Sequence, residues 1–380
     1  MSDHSPVLFE ELPTANGLRI GVARLNAEAA LNALTLEMVD LLWARLQQWA
    51  AAPEIALVVL EGAGERALCA GADLNRLHAA CLEHHTGPSP HDIRGNQYAL
   101  DFFSREYRLD YCLHTYPKPL LCWGHGVVMG GGVGLMAGCS HRVVTGGLRL
   151  AMPEINIGLY PDVGGSWFLA RAPGKTGIFL ALTAAQLNAS DAIFAGLADL
   201  FIPHTDKAQV LHALTAHAWQ ADASRNHADL TGLLQAFAQT PAAGPLREHF
   251  DAINAACGQA NAVDIVQAVG ELASLNEWFA RAAATLRAGS PSTAVLSIAL
   301  QRRLRLASLA EVFRAELVAV LTCAARPDFA EGIRALLIDK DKQPRWQPAD
   351  IAAVTPALID AFFATPWSAA EHPLANLGAL

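Results

Sequence analysis

Charged side chains are scarce. Only 17% of the 380 residues are Asp, Glu, Lys or Arg, against 52% hydrophobic. A disordered chain needs the opposite balance, so disorder is excluded. Positive charge is scarcer still, with 27 basic against 36 acidic residues and a formal net charge of −9. This argues against a nucleic-acid partner held by broad phosphate neutralisation. The seven cysteines are odd in number and form no C-x-x-C pair. A reduced, cytoplasmic protein is the simplest expectation. The first residues hold Asp3, Glu10 and Glu11 and no arginine before Arg19. They therefore lack the basic and apolar regions of a signal or transit peptide.

Familiar catalytic motifs are missing too. There is no H-E-x-x-H and no G-x-S-x-G, which disfavours a zinc protease or a serine α/β-hydrolase. Gly174-Lys175-Thr176 ends like a P-loop, but the required first glycine is Leu169. His78, His84, His85 and His91 cluster beside a loop and read as a solvated turn rather than a metal site. Pro119–His141 carries no charged residue and by length alone would cross a bilayer. Its seven glycines fit a buried strand, a tight turn and a buried helix instead, so no membrane partner is expected.

The length suggests about two domains, at roughly 100–200 residues each. Leu18–Leu25 alternates as a half-buried strand. Thr35 is placed to cap a helix whose face carries Met38, Leu42, Leu46 and Trp49, with Pro53 as its stop. Ile55–Leu60 is a strand buried on both faces. Gln97–Tyr116 follows as an amphipathic helix with Phe103, Tyr107 and Tyr111 on one stripe, then Leu120–Trp123 as a second buried strand. Short strands are expected at 142–145 and 148–152, and a helix from Asp162 to Ala172. Alternating strands and helices imply an α/β core over residues 1–205. Residues 206–364 read as helical, and 365–380 as a loosely held tail.

Gly62-Ala63-Gly64-Glu65-Arg66-Ala67 matches a dinucleotide fingerprint after a strand, but no amphipathic helix follows. Turn chemistry is the better reading. Two other glycine segments are more informative together. Cys69-Ala70-Gly71-Ala72-Asp73 and His125-Gly126-Val127-Val128-Met129-Gly130-Gly131-Gly132 each follow a buried strand. Each can present a bare backbone N–H at the mouth of a parallel sheet, and two such groups make an oxyanion hole. The alternative is that the glycines only permit tight turns. Downstream, Glu154 and Asp162 sit eight residues apart in an apolar, glycine-rich stretch. Acids there need partners or work, and a raised pKa would suit acid–base use. Alternatively, Asp162 caps the following helix and Glu154 pairs with an arginine.

CAGAD, HGVVMGGGVGL and AMPEINIGLYPDVGG together resemble the crotonase (enoyl-CoA hydratase/isomerase) superfamily. GSPSTAVLSIALQRRL (289–304) and FAEGIRALLIDKDKQPRWQPAD (329–350) resemble its 3-hydroxyisobutyryl-CoA hydrolase branch. The resemblance spans about residues 18–350. It implies a spiral of ββα units with a helical C-terminal part. It also implies an oxyanion hole from the N–H groups of Ala72 and Gly131, which hold an acyl-CoA carbonyl. Glu154 and Asp162 become the catalytic pair. Glu106, Gly131, Glu154 and Asp162 contact substrate, and Asn32, Ala33, Leu34, Ala70 and Ala72 line the CoA moiety. Hydratases carry a first catalytic glutamate where this chain has Gly134. The common Asn-Arg-Pro is here Asn26-Ala27-Glu28, so phosphate contacts are expected to differ. The resemblance implies a thioester hydrolase for a small 3-hydroxyacyl-CoA in valine breakdown. No separate cofactor or metal is required, since CoA is part of the substrate, and a homo-oligomer is compatible with it. A one-glutamate hydratase or isomerase and a non-catalytic acyl-CoA binder are the alternatives.

Overall fold

The computed structural model describes residues 5–378. Among the described residues nine strands occur, all before residue 202: β1 Val7–Pro13, β2 Arg19–Leu25, β3 Ile55–Gly62, β4 Ala67–Cys69, β5 Leu120–Gly124, β6 Val127–Met129, β7 His141–Val144, β8 Arg149–Ala151 and β9 Leu200–Phe201. They form a six-stranded sheet in the order β1-β2-β3-β5-β7-β9 and a three-stranded sheet in the order β4-β6-β8. From β3 to β8 successive strands alternate between the two sheets. β3-β4 is followed by the helix Leu74–His85, and β5-β6 by the helix Gly131–Ala137. This is the expected ββα repeat. Within the six-stranded sheet β1 runs antiparallel to β2, and the β2–β3, β3–β5, β5–β7 and β7–β9 pairs are parallel.

Contacts group the chain into two compact units, each built from three segments. The first comprises the chain up to Ala72, Leu109–Leu150 and Gln186–Gly244; the second comprises Asp73–Arg108, Ala151–Ala185 and the chain from Pro245 on. All strands of the described residues lie before residue 205, with helices on both sides of it, and contacts divide the chain differently.

The first unit is organised by its six-stranded sheet. β3 is buried along its whole length, as a branched apolar run flanked by parallel strands requires. Thr35 caps the helix Leu36–Ala51 by accepting the Met38 N–H at 3.2 Å, and Met38, Leu42, Leu46 and Trp49 are its buried face. Val210, Leu214, Leu230 and Leu234, from the helices Lys207–Ala216 and Ala223–Gln235, join Val22, Leu57, Val59 and Trp123 in one apolar core.

The second unit is mainly helical. At its centre lies the helix Leu309–Ala324, whose start carries a reciprocal capping box between Ser308 and Glu311. Two expectations fail here. The helix expected over 162–172 is only Gly165–Phe168 followed by one 3₁₀ turn. Val163 (φ 51°) and Gly164 (φ 85°) are both left-handed, which no helix accommodates. The described part of the tail, residues 365–378, is also not loose, and the last two residues of the expected tail lie outside the described residues. Arg108 donates to the Pro373 carbonyl and to Asn376 Oδ1, Arg314 donates to the Leu377 carbonyl, and Leu374 is fully buried. Two arginines reaching back to tail carbonyls explain why a stretch without obvious periodicity is ordered.

Candidate active site

In the first unit, β4 and β6 end in the two glycine loops that the sequence singled out. β4 pairs with β6 in parallel, Ala67 with Val127 and Cys69 with Val128, so the loops leave the same sheet end side by side. A Cβ built on Gly71 would lie 3.4 Å from the Met129 carbonyl oxygen and 3.9 Å from Gly131 N. A Cβ on Gly132 would strike the Cys69 carbonyl at 2.4 Å. Glycine at 132 is what lets the second loop approach the first.

Gly131 holds the first helical position after Gly130, where an N–H has no acceptor within the helix. Among the described residues, the Ala72 N–H has no backbone acceptor. Two donors without helical or sheet partners on adjoining loops are the raw material of an oxyanion hole.

The segment expected on the CoA side is stitched to that loop. The Leu34 N–H donates to the Gly71 carbonyl at 2.7 Å, the Ala70 N–H donates to the Leu31 carbonyl at 3.0 Å, and Leu34 bridges Ala72 in parallel. Asn32 is fully buried. Its Nδ2 donates to the Ala63 and Ala67 carbonyls at 3.0 Å each, and its Oδ1 accepts the Ala27 N–H. Its amide therefore braces the turn, and any contact with a ligand there would fall to the backbone of Ala33 and its neighbours. The Gly62–Gly64 turn leads into strand β4 rather than a helix, so it is no dinucleotide site. The exposed Glu28 carboxyl lies where a Cβ on Gly64 would fall.

In the second unit, three acids come together that the chain places on different elements. Glu106 lies on the helix Gln97–His114, Glu154 opens a 3₁₀ turn after β8, and Asp162 precedes the left-handed pair at 163–164. All three are buried. Tyr107 donates its hydroxyl to Asp162 Oδ2 at 2.7 Å. Glu154 Oε2 and Glu106 Oε1 have no hydrogen-bond partner among the described residues. Burial pushes the Glu154 carboxyl well above its ordinary range, and the nearby Asp162 and Glu106 charges push it further. Glu106 is raised by burial and by Asp162. Asp162 is pushed up to about 6 by burial, against the opposing pull of the Tyr107 hydrogen bond. Burial and mutual repulsion therefore both favour the protonated forms of this set.

Neither alternative role for the acids is found. Gly164, not Asp162, caps the short helix, with no side-chain bond, and among the described residues no arginine pairs with Glu154. Sequence reasoning missed two residues. Tyr107 was read only as part of an apolar stripe. Glu316 was not singled out, although it is fully buried and its carboxylate accepts the Gly164 and Ser166 N–H groups at 2.8 Å each. An acid inside the apolar run of a helix was the available signal. Among the described residues no group of three His, Cys, Asp or Glu side chains is disposed to hold a metal, and no helix is long and apolar enough to cross a membrane.

The chain is 37% identical to the mitochondrial 3-hydroxyisobutyryl-CoA hydrolase of Bos taurus, over 96% of this chain and 90% of that one. It is 35% identical to that of Homo sapiens, over 93% and 88%. Among solved structures, a carnitinyl-CoA dehydratase from Mycobacterium thermoresistibile matches with a TM-score of 0.82 at 34% identity, over 95% of this chain and 97% of that one. An enoyl-CoA hydratase from Rhodobacter sphaeroides 2.4.1 matches with a TM-score of 0.81, also at 34% identity, over 95% and 98%. A family model described as enoyl-CoA hydratase/isomerase matches residues 20–363. With both glycine loops and all the expected acids inside that span, the chain belongs to the enoyl-CoA hydratase/isomerase family.

Proposed function

We propose that this protein is a thioester hydrolase acting on a small 3-hydroxyacyl-CoA, 3-hydroxyisobutyryl-CoA being the leading candidate. The observation that carries this is the Glu154 carboxylate, which is buried, has an oxygen without a partner and is raised in pKa by burial and by Asp162. A carboxylate whose pKa is raised above its ordinary range is a stronger base, which suits activation of water. The relatives named for this hydrolysis support the substrate class.

In this reading the thioester carbonyl oxygen accepts the N–H groups of Ala72 and Gly131. Water attacks the carbonyl carbon while Glu154 takes its proton, and the negative charge moves to the oxygen that the two N–H groups stabilise. Collapse of the adduct breaks the carbon–sulfur bond. The departing thiolate takes up a proton from the acid set, giving free CoA and a carboxylic acid. Attack by Glu154 itself, through an anhydride that water then opens, uses the same groups. Asp162, held by Tyr107, binds the 3-hydroxyl or passes the proton, and Glu106 contacts the acyl group. The backbone around Asn32, Ala33, Leu34 and Ala70 lies along the CoA moiety. All seven cysteines are free thiols, which suits a reducing compartment.

The second reading is hydration or isomerisation of an enoyl-CoA, favoured by the names of the two solved structures at 34% identity. Gly134, where hydratases carry their first glutamate, weighs against it. The deciding experiment incubates the protein with 3-hydroxyisobutyryl-CoA and a thiol reagent, and separately with crotonyl-CoA while enoyl absorbance is followed. Thiol release that falls at least about 10²-fold in Glu154→Gln, with binding of the ester retained, supports the hydrolase. Loss of enoyl absorbance without thiol release replaces it with the hydratase.

A further inference from the structure

The proposed chemistry uses Asp162, which heads a strained turn closed by one backbone bond, the Gly165 N–H donating to the Asp162 carbonyl at 2.6 Å. Val163 follows it at φ 51° and Gly164 at φ 85°. A β-branched residue in the left-handed region is strained and persists only where its surroundings impose it. The short helix that begins at Gly165 has no side-chain cap.

Glu316 supplies the constraint. It lies fully buried on the helix Leu309–Ala324, between the buried Phe313, Leu317 and Val320. Its Oε2 accepts the Gly164 N–H and its Oε1 the Ser166 N–H, both at 2.8 Å. Its own backbone carbonyl accepts the Tyr160 hydroxyl at 2.7 Å. One residue therefore grips the 160–166 segment at three points that flank Asp162 on both sides. The same helix face also reaches the other support of Asp162, because the Phe313 ring packs against Tyr107 with centroids 5.5 Å apart. Among the described residues no lysine, arginine or histidine forms an ion pair with Glu316, so its contacts are with the turn.

We propose that Glu316 is a positioning residue that holds the strained 162–166 turn and thereby sets where the Asp162 carboxylate lies. The inference rests on the reading in which Asp162 acts on the substrate. The residue type follows from the geometry. Two converging N–H donors need two acceptor oxygens, and only a carboxylate of this length supplies both. The isosteric amide offers one oxygen and sets an NH₂ against the other donor, so one buried N–H goes unpaired.

The test is a double-mutant cycle of Glu316→Gln and Asp162→Asn, with thiol release from 3-hydroxyisobutyryl-CoA as the readout. Glu316→Gln is expected to lower kcat about 10- to 100-fold, on the scale of a lost hydrogen bond to a charged group, with KM changed less than about threefold. In the Asp162→Asn background the same change should cost less than about threefold. Full, multiplicative losses in the double variant, or a fall in melting temperature with kcat unchanged, overturn the proposal and leave Glu316 a merely structural acid. If Glu316→Gln does not fold, Glu316→Asp, which keeps both oxygens one methylene short, replaces it in the cycle with the same criteria. A readout independent of catalysis separates this from the proposed function. The Gly164 and Ser166 amide proton resonances should lie downfield in the wild-type protein and move upfield in Glu316→Gln. Unmoved amides overturn the positioning role even where thiol release is seen. A wild-type protein that hydrates an enoyl-CoA and releases no thiol overturns the hydrolase reading instead, and the cycle is then decided on hydration rates.

Discussion

The Tyr107 hydroxyl donates to Asp162 Oδ2 at 2.7 Å, and both side chains are buried. A phenol in that position stabilises the charged form of the acid, which burial otherwise opposes. Tyr107→Phe keeps the ring contact with Phe313 and removes only the donor. The Asp162 carboxyl, at about 6 in the intact protein, should then rise. We expect kcat/KM for thiol release to fall about 10-fold, on the scale of a hydrogen bond to a charged group. Its pH profile should move to higher pH in the limb that Asp162 governs. An unchanged profile in Tyr107→Phe would detach this hydrogen bond from the chemistry.

The acid limb of the rate profile should report Glu154. Its carboxyl stands well above the ordinary range, first through burial and next through the charge of Asp162. A base must be deprotonated to act, so activity should climb with pH through the raised Glu154 value and not near the ordinary carboxylate range. Asp162→Asn removes the second cause. The residual activity of that variant should therefore show its acid limb at lower pH than the wild type. Glu106→Gln should move it the same way by less, since Glu106 is the weaker neighbour. A shift to higher pH in either variant would contradict the charge relationship.

Much of this was legible in the sequence where the signal is local. The strand at 18–25, the helix after Thr35 and the buried strand at 55–60 follow from periodicity of two, periodicity of 3.6 and a continuous branched run. Both glycine loops lie downstream of such a strand, but the structure sets the short strands β4 and β6 between strand and loop. The three-residue strands β4 and β6 were read as turns, since so short a run carries no period. β1 was missed because only Val7 of it is buried. The helix after Asp162 was overextended because nothing in Val163 announces a left-handed residue. Glu316 forms its bonds with residues 150 and 152 positions away, and no local pattern reports such a partner. The proximity of Glu106, Glu154 and Asp162 is likewise a tertiary fact. The sequence offered only the resemblance to suggest it.

Stability should fall as pH rises towards about 6. Asp162 moves from 3.8 to about 6 on folding. An acid with a raised folded pKa holds its proton more tightly in the native state. Its contribution is fully present below the unfolded value and is lost as pH rises through the folded value. The window therefore runs from about pH 4 to about pH 6. Melting temperature should decline across it, and Asp162→Asn should flatten the part near pH 6. A melting temperature that rises steadily from pH 4 to 6 would show that Asp162 is charged in the native state across that range.

Substrate choice gives the sharpest check on Asp162. Its Oδ2 is taken by Tyr107, and the other oxygen is the candidate acceptor for a hydroxyl on the acyl group. A buried acceptor matched to a hydroxyl rejects the analogue that lacks it, because the acceptor is left unpaired and its desolvation uncompensated. We expect kcat/KM for 3-hydroxyisobutyryl-CoA or 3-hydroxypropionyl-CoA to exceed that for isobutyryl-CoA by at least about tenfold. The comparison isolates the hydroxyl, since 3-hydroxyisobutyryl-CoA and isobutyryl-CoA share the same carbon skeleton and CoA portion. Asp162→Ala should erase most of the preference as well as slowing turnover. Glu154→Gln should slow both esters alike and leave the ratio intact, because its task is the water and not the hydroxyl. Equal rates on the two esters in the wild-type enzyme would remove hydroxyl recognition from Asp162 and leave it the proton transfer to the departing thiol. The Asp162→Ala ratio, measured beside that of Glu154→Gln, separates the two roles within one set of assays.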